Sequence, residues 1–235
     1  MVLAMASWTE IPAGVLAVLQ RGAVLPAHPL ALDAKRQFDR ESQRPLARYY
    51  IDAGAGGLAV GVHATQFAIR EVGLYRPVLE LAAATAGAWT SRPLLLIAGV
   101  IGQTAQALQE ARLARGLGYH AALLGLGALR GASEDELIEH CEAVAKELPV
   151  IGFYLQAAVG GIALSRGFWT RFSAIDNVIA IKVAPFDRYQ VAACAAARVR
   201  STWLGVKAAA HLCALAQSAS SQPRNTGTSL AAVTR

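Results

Sequence analysis

Short apolar runs alternate along the chain with longer stretches in which apolar residues recur at helical spacing. Residues 23–26 predict a first strand, and residues 33–53 a helix that ends near the glycines at 54–57. A second strand is predicted over 58–61 with a helix over 72–86, a third over 94–99 with a helix over 104–116, and a fourth over 120–124. The next helix is the best marked. Ser133 with Glu136 three positions later forms a capping box, and Leu137, Ile138, Cys141, Val144, Ala145 and Leu148 follow as an apolar stripe. Residues 150–154 predict a fifth strand, those around 168–175 a helix, and 178–182 a sixth strand.

Strands that alternate with helices imply a parallel sheet with right-handed crossovers. Repeats of about 25–30 residues favour a closed barrel over an open doubly wound sheet. No G-x-G-x-x-G follows the first strand, which weakens a dinucleotide-binding alternative. The expected fold class is therefore α/β, a TIM (β/α)8-type barrel. It is expected to be incomplete, with about six βα units where a full barrel needs eight. The end of the chain differs in character. Alanine-rich residues 192–197 and 208–216 predict helix and 201–206 a weak strand, while the polar stretch 218–235, with Pro223 and Gly227, reads as disordered. Two regions follow: a partial barrel domain over 1–190 and an atypical, basic, alanine-rich tail over 191–235.

Composition narrows the function classes. With 54% hydrophobic and 16% charged residues, the chain can bury a large core. A mean hydropathy of +0.37 raises a membrane reading. The longest uncharged stretch, 148–165, is broken by Pro149, Gln156 and three glycines, and a spanning helix needs about 20 apolar residues. It reads instead as a buried parallel strand and a loop. The N-terminus lacks a basic region and carries Glu10, so no secretory signal is expected. Three cysteines without metal-like spacing argue against disulfides or zinc. A cytoplasmic protein with no metal and no cofactor is the expectation. The net charge of +6 belongs to the tail: from Val191 onward there are five basic residues and no acidic one, leaving 17 basic and 16 acidic side chains before it. The body shows no basic groove interleaved with aromatics, so no nucleic-acid partner is expected.

Two strand ends carry candidate chemistry. Lys182 closes Asn177-Val178-Ile179-Ala180-Ile181-Lys182, and strand alternation assigns Val178, Ala180 and Lys182 to one face. A lysine desolvated there would have a lowered pKa and a nucleophilic amine; a lysine that snorkels into solvent is the competing reading. Tyr154 closes the preceding strand, Pro149-Val150-Ile151-Gly152-Phe153-Tyr154, at the same end. Its phenol could relay protons, or it could be a half-buried tyrosine with a satisfied hydroxyl.

These two strands resemble those that carry the tyrosine and the Schiff-base lysine in the dihydrodipicolinate synthase / N-acetylneuraminate lyase-like family of class I aldolases. Gly57-Leu58-Ala59-Val60-Gly61 is similar to the strand before that family's Gly-Thr-Thr-Gly-Glu loop. Ile97-Ala98-Gly99-Val100 with Gln103-Thr104-Ala105-Gln106-Ala107 is similar to its third strand and helix start. The resemblance spans roughly residues 22–190. It implies a TIM barrel in which Lys182 forms an imine with pyruvate or a related 2-oxo acid, Tyr154 relays protons, and an aldehyde is added or released. It further implies a homo-oligomer, and substrate contacts from the loop Gly61, His63, Ala64 and Thr65.

The departures are specific. The family's paired threonines fall on Val62 and His63, so backbone N–H groups with His63 or Thr65 would have to hold the carboxylate. A second relay tyrosine falls near Leu129, and an arginine after the tyrosine strand near Val159. A true dihydrodipicolinate synthase is therefore not the expectation. Acidic residues, strand periodicity and resemblance all stop near Tyr189–Gln190. One hypothesis is a shifted reading frame or truncated gene, which fails if no nearby frame of the encoding DNA restores the missing strands. Two functional readings stand: a Schiff-base lyase or aldolase of other specificity, and an inactive relative that at most binds a small carboxylate.

Overall fold

The computed structural model describes residues 7–184, 187, 189–191 and 194. The tail expected over 191–235 lies outside the described residues apart from Val191 and Cys194.

Five parallel strands run in sequential order: β1 (Gly57–Val60), β2 (Leu95–Val100), β3 (Ala121–Leu124), β4 (Val150–Leu155) and β5 (Val178–Ala184). The strand expected at 23–26 is present as an extended segment beside β1. Gly56 N–H donates to Val24 O at 2.9 Å, Ala59 N–H to Pro26 O at 3.0 Å and His28 N–H to Ala59 O at 2.8 Å. Only the Ala27–Ala59 pair forms a complete bridge, because Pro26 has no N–H to extend the ladder. Six strand positions are thus filled in the order a TIM-type barrel requires, and β5 has a single strand neighbour among the described residues.

The helices are α1 (Ala13–Arg21), α2 (Arg40–Asp52), α3 (Tyr75–Trp89), α4 (Thr104–Gly116), α5 (Glu134–Ala145) and α6 (Arg166–Phe172). The capping box of α5 is formed as expected. The helix expected from residue 33 starts only at Arg40. Asp39 caps it, accepting from Glu41 and Ser42 N–H. The preceding residues are a loop in which Asp33 Oδ1 accepts from Lys35 and Gln37 N–H, both at 2.8 Å. Helix α1 was not anticipated, since nine residues give too short a periodic signal.

Strand alternation divides the core in two. The outer face packs under the helices, with Leu58, Val60, Leu96, Ala98, Leu124 and Val150 among its buried residues. The inner face holds Ala59, Ile97, Leu123, Ile151, Phe153 and Ile179, joined by Ile11 and by Val15 of α1. Gly152 faces outward. A Cβ there would lie 2.7 Å from the Phe172 ring, so the glycine lets α6 seat against β4.

One irregularity decides the orientation of β5. Val150 pairs with Val178, but Ile151 pairs with Ala180, so β5 carries one extra residue at Ile179. The extra residue resets the alternation. Val178 belongs to the outer core and Ala180 packs against the inner one. The expectation that Val178, Ala180 and Lys182 share a face is corrected accordingly: Lys182 shares its face with Ala180 and not with Val178.

Candidate active site

The C-terminal ends of the strands, where βα loops gather, carry the candidate chemistry. Lys182 pairs in register with Phe153, so the two side chains share the inner face. The Lys182 Nζ stands 4.6 Å from the Phe153 ring centroid. Lys182 is exposed at the barrel mouth, yet partial loss of water lowers its pKa from the ordinary lysine value. The ring face favours the ammonium, so the lowering is the work of desolvation.

Tyr154 pairs with Val183 and lies on the opposite face. Its ring packs 5.0 Å from that of Trp169 on α6, and its hydroxyl donates to Gln190 Oε1 at 2.8 Å. Burial raises its pKa. The two residues end neighbouring strands at the same end, as expected, while in this register it is Phe153 that pairs with Lys182.

The loop after β1 begins at Gly61, which is buried with φ +71. Thr65 is fully buried. Its hydroxyl accepts from Gly61 N–H at 3.1 Å and donates to the carbonyl of His28, which commits it to shaping the turn. His63 and Ala64 are exposed at the rim, and the His63 ring meets Phe67 edge-on at 5.6 Å.

A buried ionic network behind this loop gave no motif signal in the sequence. Arg70 Nε and Glu110 Oε1 are 2.7 Å apart, with side chains 9% and 8% exposed. Arg70 also donates to Gly61 O at 3.2 Å and to Gly99 O at 2.9 Å. Tyr75 donates its hydroxyl to Gly99 O at 2.7 Å, and Glu110 accepts from Ile101 N–H at 3.2 Å and from the Gln106 amide at 2.9 Å. The guanidinium therefore ties the ends of β1 and β2 together. Glycine at 99 permits this approach, since a Cβ there would sit 2.3 Å from Gly61 O. Among the described residues no group of three His, Cys, Asp or Glu could hold a metal ion.

A cleft of about 850 Å3 opens beside Phe153, between the loops that follow β1, β2, β3 and β4. Its lining includes Phe153 but not Lys182, and the sequential parallel strand order is that of a TIM-type barrel. The sequence profile of the Dihydrodipicolinate synthetase family matches residues 21–216. The chain belongs to this family. The match continues past Gln190, where the resemblance was expected to stop.

Among members of the family, 4-hydroxy-tetrahydrodipicolinate synthase of Moorella thermoacetica is 27% identical over 185 residues, covering 74% of this chain and 59% of that protein. Solved structures agree in fold. YagE, a prophage protein of E. coli K12 belonging to the dihydrodipicolinic acid synthase family and solved with pyruvate, matches with a TM-score of 0.67 at 19% identity, over 74% of this chain and 58% of that one. CdNal of Clostridium difficile, solved with mannosamine, matches with a TM-score of 0.66 at 17% identity, over 72% and 58% of the two chains. The chain thus spans about three fifths of the length of these relatives. No helix among the described residues is long and apolar enough to cross a membrane.

Proposed function

We propose that this protein is a class I lyase or aldolase that takes pyruvate or a related 2-oxo acid as an imine on Lys182. The observation that carries this reading is the inward, partly desolvated Lys182 against Phe153 at the C-terminal end of β5. Its lowered pKa enlarges the fraction of neutral amine available to attack a carbonyl. The amine adds to C2 of the oxo acid, and loss of water from the carbinolamine gives the iminium. Loss of a C3 proton then gives an enamine, the nucleophile toward an aldehyde. The pyruvate complex of YagE supports a 2-oxo acid as the ligand class in this fold.

Four residues of the loop after β1 serve the carboxylate in this reading. Gly61 and Thr65 set the turn, and exposed His63 and Ala64 form the rim that meets the ligand. Tyr154 takes no part in this reading, because its hydroxyl is engaged with Gln190 on the far face. The same geometry favours a second reading. Phe153, and not a phenol, shares the face of Lys182, as an inactive relative that only binds a small carboxylate would allow.

Borohydride reduction in the presence of pyruvate, followed by peptide mapping, separates the two. An adduct on Lys182 that is absent from Lys182→Arg supports the lyase. Reversible pyruvate binding without an adduct supports the binding protein and sinks the lyase.

A further inference from the structure

One buried amide ties the segment after the first strand to the loop after β1. Gln43, on α2, is buried although its neighbours Glu41, Ser42 and Arg44 face solvent. Its amide is spent on residues 28–31. The Oε1 accepts from Ala31 N–H at 2.7 Å, and the Nε2 donates to Pro29 O at 2.8 Å and to His28 Nδ1 at 2.7 Å. His28 is also held to β1, since its N–H donates to Ala59 O at 2.8 Å, and its carbonyl accepts the Thr65 hydroxyl. The same hydroxyl accepts from Gly61 N–H at 3.1 Å. A chain of contacts thus runs from Gln43 through His28 and Thr65 to Gly61. Its far end is the left-handed turn, φ +71, that heads residues 61–65. His28 and Thr65 are fully buried, so water does not replace a lost link and each break leaves an unsatisfied group.

We infer that Gln43 is a positioning residue for the carboxylate of the 2-oxo acid, acting through His28 and Thr65 on the loop at 61–65. The inference rests on the carboxylate role proposed above for that loop, and adds a residue that touches no ligand. Groups that grip a small anion must be held to a fraction of an ångström by the shell behind them. Val62 within the loop is apolar and buried, so the grip depends on how the turn is set. Gln43 stands behind the turn on α2, whereas Lys182 stands on β5. Loss of the amide therefore loosens the loop and leaves the lysine in place.

The test reads two quantities on the full chain. Affinity for pyruvate comes from saturation-transfer NMR, which requires no imine. The limiting rate of imine trapping comes from borohydride reduction at saturating pyruvate. Gln43→Met removes the three hydrogen bonds at similar volume. It is expected to weaken pyruvate binding about fivefold or more and to leave the limiting rate within about twofold of wild type. Thr65→Val, which breaks the link to His28, is expected to weaken binding to the same extent, and Thr65→Ser to restore it. In the double variant Gln43→Met/Thr65→Val the two losses do not multiply, because both act through one chain. Gln43→Asn keeps the amide on a shorter stem and is expected to weaken binding in the same way, which covers failure of Gln43→Met to fold. Ile138→Val on α5 is buried and outside this chain; it controls for lost stability and is expected to bind pyruvate as the wild type does. Unchanged affinity in the folded Gln43 variants, losses that multiply in the double variant, or an equal loss in Ile138→Val overturns the inference. A wild type that binds pyruvate but forms no adduct on Lys182 overturns the Schiff-base reading alone, and the affinities still decide the role of Gln43. A wild type that neither binds nor traps pyruvate overturns both.

Discussion

Lys182 and Phe153 are register partners on β4 and β5, and the lysine Nζ lies 4.6 Å from the phenylalanine ring centroid. Tyr154, one residue further along β4, points to the other side of the sheet and bonds Gln190. The local environment of the candidate nucleophile is therefore an aromatic hydrocarbon rather than a phenol.

This relationship separates two substitutions. Tyr154→Phe removes one hydroxyl hydrogen bond from the outer core and is expected to cost about 1 kcal/mol of stability. It should leave the rate of pyruvate trapping within about twofold of wild type, because the hydroxyl does not face the lysine. Phe153→Ala opens the face of Lys182 to water, so the amine pKa should rise toward the ordinary value and trapping at neutral pH should slow. Trapping rates measured against pH decide between them: wild type should level off at a lower pH than Phe153→Ala. A tenfold loss in Tyr154→Phe with the fold intact would restore a relay role to the tyrosine.

His28 predicts an acid-sensitive stability. It is fully buried, and burial pushes its pKa down from 6.5 to about 4. The side-chain amide of Gln43 is oriented by Ala31 N–H, which donates to Oε1, and by Pro29 O, which accepts from Nε2. The same Nε2 therefore donates to His28 Nδ1 at 2.7 Å. The ring is held neutral in the fold but protonates near 6.5 when unfolded. Stability is thus full above pH 6.5 and falls as pH drops toward 4, by roughly 3 kcal/mol for this group. His120 and His140, also lowered by burial, add to the trend. The check is denaturant unfolding across this range, in which His28→Asn should have a shallower pH slope than wild type.

The Arg70–Glu110 pair predicts strong coupling. Arg70→Met alone leaves a buried carboxylate with only neutral donors, and Glu110→Leu alone leaves a buried guanidinium. Each is expected to cost about 3–5 kcal/mol. The double variant should cost less than the sum, because it removes both charges together. Additive losses in a double-mutant cycle would mean that the pair is not coupled.

Gly99→Ala tests the seam between β1 and β2. The new Cβ would meet Gly61 O at 2.3 Å and Val62 N at 2.9 Å, both backbone atoms that cannot rotate away. A loss of about 1–3 kcal/mol is expected from this overpacking. Trapping should weaken as well, since the loop at 61–65 must shift. Unchanged stability would show that the seam relaxes freely.

Much of the fold is legible in the sequence. Apolar runs bounded by helical periods located β1 to β5 within a residue or two, and Ser133 with Glu136 marked the start of α5. Helix α2 is shorter than the apolar spacing predicts, because Asp33 turns the chain by accepting two backbone N–H groups, an effect invisible in periodicity. The candidate lysine was legible as a charge at the end of an apolar strand. The Arg70–Glu110 pair was not, because its partners lie 40 residues apart and carry no motif.

The sequence alone determined the order of strands and helices, the family resemblance and the strand end on which Lys182 stands. These depend on local periodicity and residue type. The tertiary structure decided which way the side chains face. Alternation along β4 turns Phe153 inward and Tyr154 outward, and the extra residue at Ile179 turns Lys182 inward as well. A single inserted residue reverses every later side chain of a strand. Its position is seen only in the pairing with β4, which acts between segments distant in sequence.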